Sequence, residues 1–169
     1  GGSFNPPHVA HVLAATWVLS ACDVNGVLLM PCAQHAFGKD LLPFAQRLRL
    51  TELAVAPLRG VEVTDIESRM TPPNYTVDTL AKLAVERPDV QFSLVVGADV
   101  LHERHKWKKW DVLEAEYGFH ILGRSGYAIP AGFGASVELP AVSSTHLRAC
   151  LGRGDLEACR GHMNLDVLD

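Results

Sequence analysis

The segment FSLVVG, residues 92–97, is the part of the sequence that decides the fold. It is apolar apart from Ser93 and ends on a glycine, and a short run of this kind predicts a buried strand. Similar runs occur at residues 27–30, VLLM, and at residues 119–122, FHIL. Because apolar runs without polar alternation are typical of strands covered on both faces, they favour a parallel sheet between helices.

Helical patterns and turn residues fill the sequence around these runs. Thr76 is placed to cap a helix, and residues 65–75, which contain two consecutive prolines, are expected to form a loop. We expect helices at residues 9–22, 43–55, 76–87 and 144–151, a charged helix with tryptophans between residues 97 and 119, and short strands at residues 61–63 and 137–139. Strands that alternate with helices predict an α/β fold, a Rossmann-like doubly wound parallel sheet, and residues 1–169 read as a single domain.

Composition excludes several classes of protein. The chain has 169 residues, of which 48% are hydrophobic and 20% charged, so it can bury a core and is not disordered. No window approaches 18 uninterrupted apolar residues, so no membrane partner is expected. The net charge of −4 argues against a nucleic-acid partner, since such proteins carry a basic face. The four cysteines form no C-x-x-C pair and no targeting segment is seen, which favours free thiols in the cytoplasm.

The glycine-rich segment GGSFNPPHVAH, residues 1–11, precedes the first expected helix. Glycines let a backbone approach an anion closely, and the helix start directs free N–H groups at it. His8 and His11 stand at i and i+3, so both rings could reach one phosphate. No G-x-G-x-x-G or G-K-[ST] motif is present, and a metal site would need further ligands. Spacing alone leaves open two unrelated histidines at a helix start.

A second anion-binding pattern, VSSTHLR, occupies residues 142–148. Hydroxyl groups at a helix start, with Arg148 one turn further on, could hold a phosphate, although an ordinary serine cap with a solvated arginine has the same pattern. Two such patterns in one small α/β domain suit a triphosphate better than a single phosphate.

Four segments together resemble one family. The first eleven residues resemble the G-G-[ST]-F-[DN]-P-x-H-x-G-H signature of nicotinate mononucleotide adenylyltransferases, which belong to the H-x-G-H nucleotidyltransferase superfamily. Residues 143–148, SSTHLR, are similar to the family's S-S-T-x-[IL]-R, and residues 73–80, PNYTVDTL, to its P-S-Y-T-x-D-T-L. The G-A-D of residues 97–99, followed by Trp107, completes the resemblance, which covers nearly the whole chain in the family's order.

The resemblance implies transfer of AMP from ATP to the 5′-phosphate of nicotinate mononucleotide, which yields pyrophosphate and the deamido form of NAD. His11, His8 and Arg148 would be catalytic, with His11 nearest the α-phosphorus. The ATP-binding residues it implies are Gly2, Ser3, Phe4, His8, His11, Gly97, Asp99, Ser144, Thr145 and Arg148. The residues it implies for the acceptor nucleotide are Asn5, Lys39, Tyr75, Thr76 and Trp107. Mg²⁺ would arrive with ATP, and no metal site in the protein is expected.

The sequence departs from the family pattern in two places. Ala10 stands at the glycine of H-x-G-H, where a backbone that requires glycine would be strained. The family's P-P-H-K segment is replaced by QHAFGKD, residues 34–40, in which Lys39 is the expected phosphate partner and His35 a secondary candidate. Nicotinamide mononucleotide as acceptor, a phosphopantetheine adenylyltransferase and a non-catalytic nucleotide-binding module therefore remain alternatives.

The resemblance also bears on the extent of the domain. It implies a central strand directly before Gly1 and a C-terminal helix that continues past Asp169. A homo-oligomer is left open. We expect Trp17 and Trp110 to pack in the core, and Arg69 is a lesser candidate for substrate contact.

Overall fold

The computed structural model describes residues 1–34, 41–129 and 137–168 of the chain. Four strands and eight α-helices alternate through these residues, with two 3₁₀ turns. The strands are β1 (Val27–Leu29), β2 (Val61–Val63), β3 (Leu94–Gly97) and β4 (Phe119–Leu122). The helices are α1 (Val9–Ala21), α2 (Phe44–Val55), α3 (Thr76–Glu86), α4 (Ala98–His102), α5 (Trp110–Glu116), α6 (Ser144–Gly152), α7 (Glu157–Arg160) and α8 (Leu165–Leu168). The 3₁₀ turns are Ile66–Arg69 and Arg104–Lys106.

The strands form two parallel pairs. β1 pairs with β2, with Val27 opposite Val61, and β3 pairs with β4, with Leu94 opposite Phe119. A parallel bridge between Gly2 and Pro31 extends the first pair at its carboxyl end. Parallel pairs joined through helices confirm the predicted α/β class.

A large cleft separates the two strand pairs. It runs along the whole length of β1 and β3, and its lining extends from Gly26 and Gln91 at their amino ends to Met30 and Gly97 at their carboxyl ends. Within the described ranges, β1 and β3 do not pair with each other. The expected strand before Gly1 stays a prediction. Because parallel α/β proteins bind ligands at the carboxyl ends of their strands, the carboxyl end of this cleft is the place to look for a site.

Two apolar clusters hold the elements around the cleft. The inner face of α3, with Val77, Leu80 and Leu83, packs against β3, β4 and Leu113 of α5. Leu113 is fully buried. A second cluster joins α2 to α6, α7 and α8; its buried members are Ala54, Leu147, Cys150, Cys159, Met163 and Val167. The cysteines are free thiols, as predicted. In the described part of the chain, no helix is long and apolar enough to cross a membrane.

Five local expectations about secondary structure are wrong. Residues 137–139 do not form a strand: only Glu138 makes a bridge, to Gly123, and the following Pro140 has no N–H for a ladder. The single helix expected between β3 and β4 is instead α4, a 3₁₀ turn and α5: α4 ends at His102, Trp107 is extended, and a left-handed Lys109 with φ of 52° precedes α5. Thr76 does not cap α3; it is the first helical residue, and Tyr75 holds the cap position.

The fourth expectation concerns the last helix, and the fifth concerns the long loop. The helix at Ser144 is followed by α7 and α8, and a 3₁₀ turn interrupts the loop of residues 65–75. Trp17 and Trp110 do not lie in the core as expected: both are half-buried and outside the two apolar clusters, although the Trp110 ring stacks on Phe119 at a centroid distance of 4.5 Å.

Candidate active site

The glycine-rich segment is anchored at the carboxyl end of β1. The N–H of Gly2 donates to the carbonyl of Met30 at 3.1 Å, and the N–H of Cys32 donates to the carbonyl of Gly2 at 2.9 Å. Phe4 has a φ of 44°, which costs a non-glycine residue about 1 kcal/mol. Its side chain is buried and its ring lies 4.8 Å from that of His11, and this packing holds the conformation.

His8 and His11 lie together at the start of α1. Their ring centroids are 3.9 Å apart, and the backbone N–H of His8 donates to Nδ1 of His11 at 3.1 Å. Since Nδ1 of a neutral His11 accepts this hydrogen bond, the ring proton must sit on Nε2, which is then available as a donor. Nδ1 of His8 is buried and has no hydrogen-bond partner among the described residues.

Ala10 causes no backbone strain between the two histidines. It lies in the first turn of α1, and the positive φ angles of the described chain do not include it. Alanine is the residue that most favours a helix, so the conformation found here does not require glycine.

Both histidines are neutral at pH 7. Burial, then the charge of Arg124 and of His162, lowers the pKa of His8 to about 4. Burial, then the neighbouring His8, lowers the pKa of His11 to about 3. The cluster is therefore a pair of desolvated imidazoles, which can donate to a phosphate without a resident positive charge.

These pKa shifts predict an acid-sensitive fold. Each histidine binds protons more readily in the unfolded chain, so its contribution to stability is complete above pH 6.5 and is lost as the pH falls towards 4. Between pH 7 and pH 5 the free energy of unfolding should fall by about 2 kcal/mol for each histidine. Urea denaturation at the two pH values measures the change. The double variant His8→Asn/His11→Asn should lose most of this dependence; an equally steep dependence in that variant would contradict the prediction.

The start of α6 lies directly against the glycine-rich segment. The Ser144 hydroxyl donates to the carbonyl of Pro6 at 3.0 Å, although 138 positions separate the two residues. Arg148 donates through Nη1 to the carbonyl of Asn5 at 2.6 Å and through Nη2 to the Thr145 hydroxyl at 3.2 Å. Ser144 is therefore not a helix cap: Ser143 holds the cap position, and the Ser144 hydroxyl is directed across to the glycine-rich segment. The fold brings both segments to one cleft.

Asp99 lies at the carboxyl end of β3, where its partner is an arginine that the sequence patterns did not indicate. Arg124 follows the end of β4, and its Nη1 lies 3.0 Å from Oδ2 of Asp99. Both residues line the cleft with the histidines. The only signal in the sequence is the position of Arg124 directly after an apolar run and a glycine, and that signal is weak without knowledge of the neighbouring strand.

Gly97 allows this arrangement. A Cβ atom on Gly97 would collide with Oδ1 of Asp99, and φ is −74° there, so the cost of a larger residue is steric alone. We expect Gly97→Ala to turn Asp99 away from Arg124 and to raise the KM for ATP about tenfold, with kcat changed less. Steady-state kinetics at saturating acceptor measure both constants. Gly152→Ala is the matched control, because nothing lies within 4 Å of its Cβ position. A Gly97→Ala enzyme with unchanged KM would contradict the expectation.

The expected acceptor residues form a second group. Tyr75 is 38% exposed, and the Lys108 ammonium lies 4.6 Å from its ring centroid and 2.8 Å from the Asp78 carboxylate. Trp107 is partly buried and meets Trp110 edge-to-face at 5.8 Å. The residues found to line the cleft do not include Tyr75, Thr76 or Trp107. The structure therefore separates the expected site into two neighbouring parts.

The remaining candidates differ in where they lie. Asn5 is buried, and its side-chain oxygen accepts from the N–H of Leu42 at 3.2 Å. Lys39 and His35 lie outside the described residues. Arg69 is paired with Asp65 and Glu86 on the surface. Within the described chain, no group of three or more His, Cys, Asp or Glu side chains could hold a metal ion.

Three features together define the nucleotidyltransferase class. They are a parallel α/β fold, two histidines at a helix start after a glycine-rich loop, and a second helix start with hydroxyl groups and an arginine in the same cleft. The sequence profile named cytidylyltransferase-like matches residues 1–150. The chain belongs to this family and, within it, to the nicotinate-nucleotide adenylyltransferases.

Individual relatives agree with this placement. A protein of Anaeromyxobacter dehalogenans named "Probable nicotinate-nucleotide adenylyltransferase" is 46% identical over 92% of this chain and 83% of its own length. A protein of the same name from Myxococcus xanthus is 40% identical over 92% of this chain and 81% of its own. The structure of Plasmodium falciparum nicotinic acid mononucleotide adenylyltransferase complexed with NaAD has a TM-score of 0.80 at 20% identity and covers 99% of this chain and 90% of its own. The last likeness shows a shared fold.

Proposed function

We propose that this protein is a nicotinate-nucleotide adenylyltransferase, which transfers AMP from ATP to nicotinate mononucleotide in NAD biosynthesis. The observation that carries the proposal is the junction of two anion-binding segments from opposite ends of the chain. Ser144 and Arg148 reach the carbonyls of Pro6 and Asn5 beside the two neutral histidines. Two adjoining donor clusters in one cleft suit a triphosphate, which must be held at more than one phosphate for attack at its first phosphorus.

The reaction is an in-line substitution. A 5′-phosphate oxygen of the acceptor forms a new bond to the α-phosphorus of ATP, and the bond from that phosphorus to the bridging oxygen breaks. Pyrophosphate leaves with the electron pair of that bond. The attacking phosphate oxygen is already deprotonated, so no general base is needed and catalysis rests on positioning and charge stabilisation.

Different side chains are proposed to contact different phosphates of ATP. Nε2–H of His11 donates to an α-phosphate oxygen as charge develops there, with His8 beside it. Arg148, Ser144 and Thr145 hold the β- and γ-phosphates, which become the leaving group.

The nucleoside of ATP and its metal ion occupy the rest of the cleft. Asp99, beside Arg124 and Gly97, takes a ribose hydroxyl, and the backbone of Gly2, Ser3 and Phe4 lies along the phosphates. Mg²⁺ is part of the MgATP substrate and neutralises phosphate oxygens.

The acceptor lies next to this cleft. Tyr75 and Thr76, at the start of α3, receive the nicotinate carboxylate, and Trp107 stacks on the pyridine ring. The Lys108 ammonium over Tyr75 is paired with Asp78 at 2.8 Å, so the preference for a carboxylate over a neutral amide is assigned to the free N–H groups at the start of α3. Asn5 and Lys39 are proposed for the acceptor phosphate. With its cysteines as free thiols, the protein is proposed to work in the reducing cytoplasm.

Pyrophosphate release tests the proposal. The protein is incubated with ATP, Mg²⁺ and one acceptor at a time: nicotinate mononucleotide, nicotinamide mononucleotide or phosphopantetheine. We expect release with nicotinate mononucleotide and at least tenfold lower kcat/KM with its amide, because one carboxylate contact is worth about 1.4 kcal/mol or more. Preference for either other acceptor would reassign the substrate. ATP binding without release would identify a non-catalytic module.

A further inference from the structure

Arg47 is an almost fully buried arginine that the proposed chemistry does not use. It lies on the inner face of α2 and is 1% exposed. Its guanidinium donates to three backbone carbonyls: Nε to Leu42 at 2.9 Å, Nη1 to Ser3 at 2.8 Å and Nη2 to Ala33 at 3.4 Å. The rigid fork of an arginine can hold several acceptors in a fixed relation, which a lysine cannot do. Arg47 therefore joins the glycine-rich segment to the chain that follows β1.

Glu67 holds the other side of the same peptide. It is 5% exposed in the 3₁₀ turn after β2, and its Oε2 accepts from the N–H of Ala33 at 2.9 Å. Burial raises the pKa of Glu67, against the opposing effect of the Ala33 N–H. Ala33 is thus fixed on its carbonyl by a buried arginine and on its N–H by a buried carboxyl group.

The hydrogen bonds continue from Glu67 to the start of α3. Nδ2 of Asn74 donates to the Glu67 carbonyl at 2.8 Å, and Asn74 is followed directly by Tyr75. The Thr79 hydroxyl donates to the carbonyl of Tyr75 at 3.1 Å, which fixes that residue to α3. One series of buried and partly buried contacts therefore runs from the glycine-rich segment to the proposed acceptor residues.

We propose that Arg47 and Glu67 are positioning residues that set the distance and angle between the ATP phosphates and the acceptor nucleotide. They act through Ala33, and neither touches a substrate. Only the kinetic consequence of this inference rests on the proposed function. In-line attack is sensitive to small displacements, and a shift of about 1 Å can cost about 10²-fold in rate.

Variants of Glu67 give the sharpest test. Glu67→Ala removes the acceptor for the Ala33 N–H, whereas Glu67→Gln keeps an oxygen of the same reach. We expect Glu67→Ala to lower kcat about 10²-fold while the Kd values for ATP and for nicotinate mononucleotide, each measured alone by calorimetry, change less than about threefold. Glu67→Gln should stay within about threefold of the parent in kcat. Arg47→Met should behave as Glu67→Ala, with Arg47→Lys intermediate.

Glu52→Ala is the matched control, because Glu52 is an exposed residue of α2 that pairs with Arg49 and does not line the cleft. All kinetics are measured on protein shown to be folded by circular dichroism. Unchanged kcat in folded Glu67→Ala, or a loss that appears only in the two Kd values, would overturn the proposal.

Hydrogen exchange gives a readout that does not depend on turnover. In Glu67→Ala, amides of residues 1–11 should exchange about tenfold faster, since the carboxylate that fixes Ala33, and through Arg47 the segment, has been removed. Glu67→Gln and Glu52→Ala should match the parent. Unchanged exchange in this segment would also overturn the positioning role. If the parent protein itself released no pyrophosphate, the proposed function would fail while the exchange result would still decide whether the contacts position the segment.

Discussion

Replacing His11 by alanine should lower kcat about 10³-fold while the Kd for ATP changes less than about threefold. The His11 proton sits on Nε2 because Nδ1 accepts from the His8 backbone, so Nε2–H is the one donor of the ring. A desolvated donor is worth most where new negative charge develops, which in this reaction is on the oxygens around the α-phosphorus. Pyrophosphate release at saturating substrates measures kcat, and calorimetry measures ATP binding.

The control for this variant is His105→Ala, which removes an exposed histidine from the 3₁₀ turn Arg104–Lys106. It should retain full kcat. Equal losses of kcat and of ATP affinity in His11→Ala would show that the ring binds the ground state and the transition state alike, which would contradict the role proposed here.

Arg148→Ala should reduce kcat/KM for ATP about 10²- to 10³-fold, mainly through the KM. The guanidinium stands at the junction of α6 with the glycine-rich segment, so its loss removes a cation for the leaving phosphates and a contact to Asn5. Charge-assisted hydrogen bonds to phosphate are about twice as strong as neutral ones, which is why this effect should exceed that of the neighbouring hydroxyls. Initial rates over a range of ATP concentrations give the constants.

Arg148→Lys separates the two contributions of this residue. It keeps the charge but not the fork that bonds Asn5 and Thr145 at once, so an intermediate loss is expected. Arg160→Ala is the matched control, since Arg160 is exposed and paired with Glu157. If Arg148→Ala bound and used ATP like the parent protein, the assignment of the leaving phosphates to α6 would be wrong.

Much of the fold was predictable because local patterns carry it. The apolar runs at residues 27–30, 92–97 and 119–122 contain strands within two residues of their expected bounds, because short apolar runs that end at glycine or proline favour strands of a parallel sheet. Segment breaks were harder to place. An extended Trp107 and a left-handed Lys109 lie between α4 and α5, and the residues around them do not predict these conformations.

The candidate site likewise contains residues that the sequence predicted and residues that it did not. Residues in recognisable motifs, such as His8, His11 and Arg148, were named from the sequence, and the structure brings them to one cleft. Arg124 was not named from the sequence. A single arginine after a strand cannot be recognised as a site residue until β4 is known to lie beside β3.

The sequence by itself determined the order of strands and helices and the chemical types at the two anion-binding segments, since both depend on residues that are close along the chain. Only the tertiary structure decided that Ser144 meets Pro6, that both histidines are neutral, and that Arg47 and Glu67 hold one peptide between them. Each of these depends on burial or on contact between distant residues. Desolvation and long-range hydrogen bonding arise only when the chain has folded, and they turn two local patterns into one cleft.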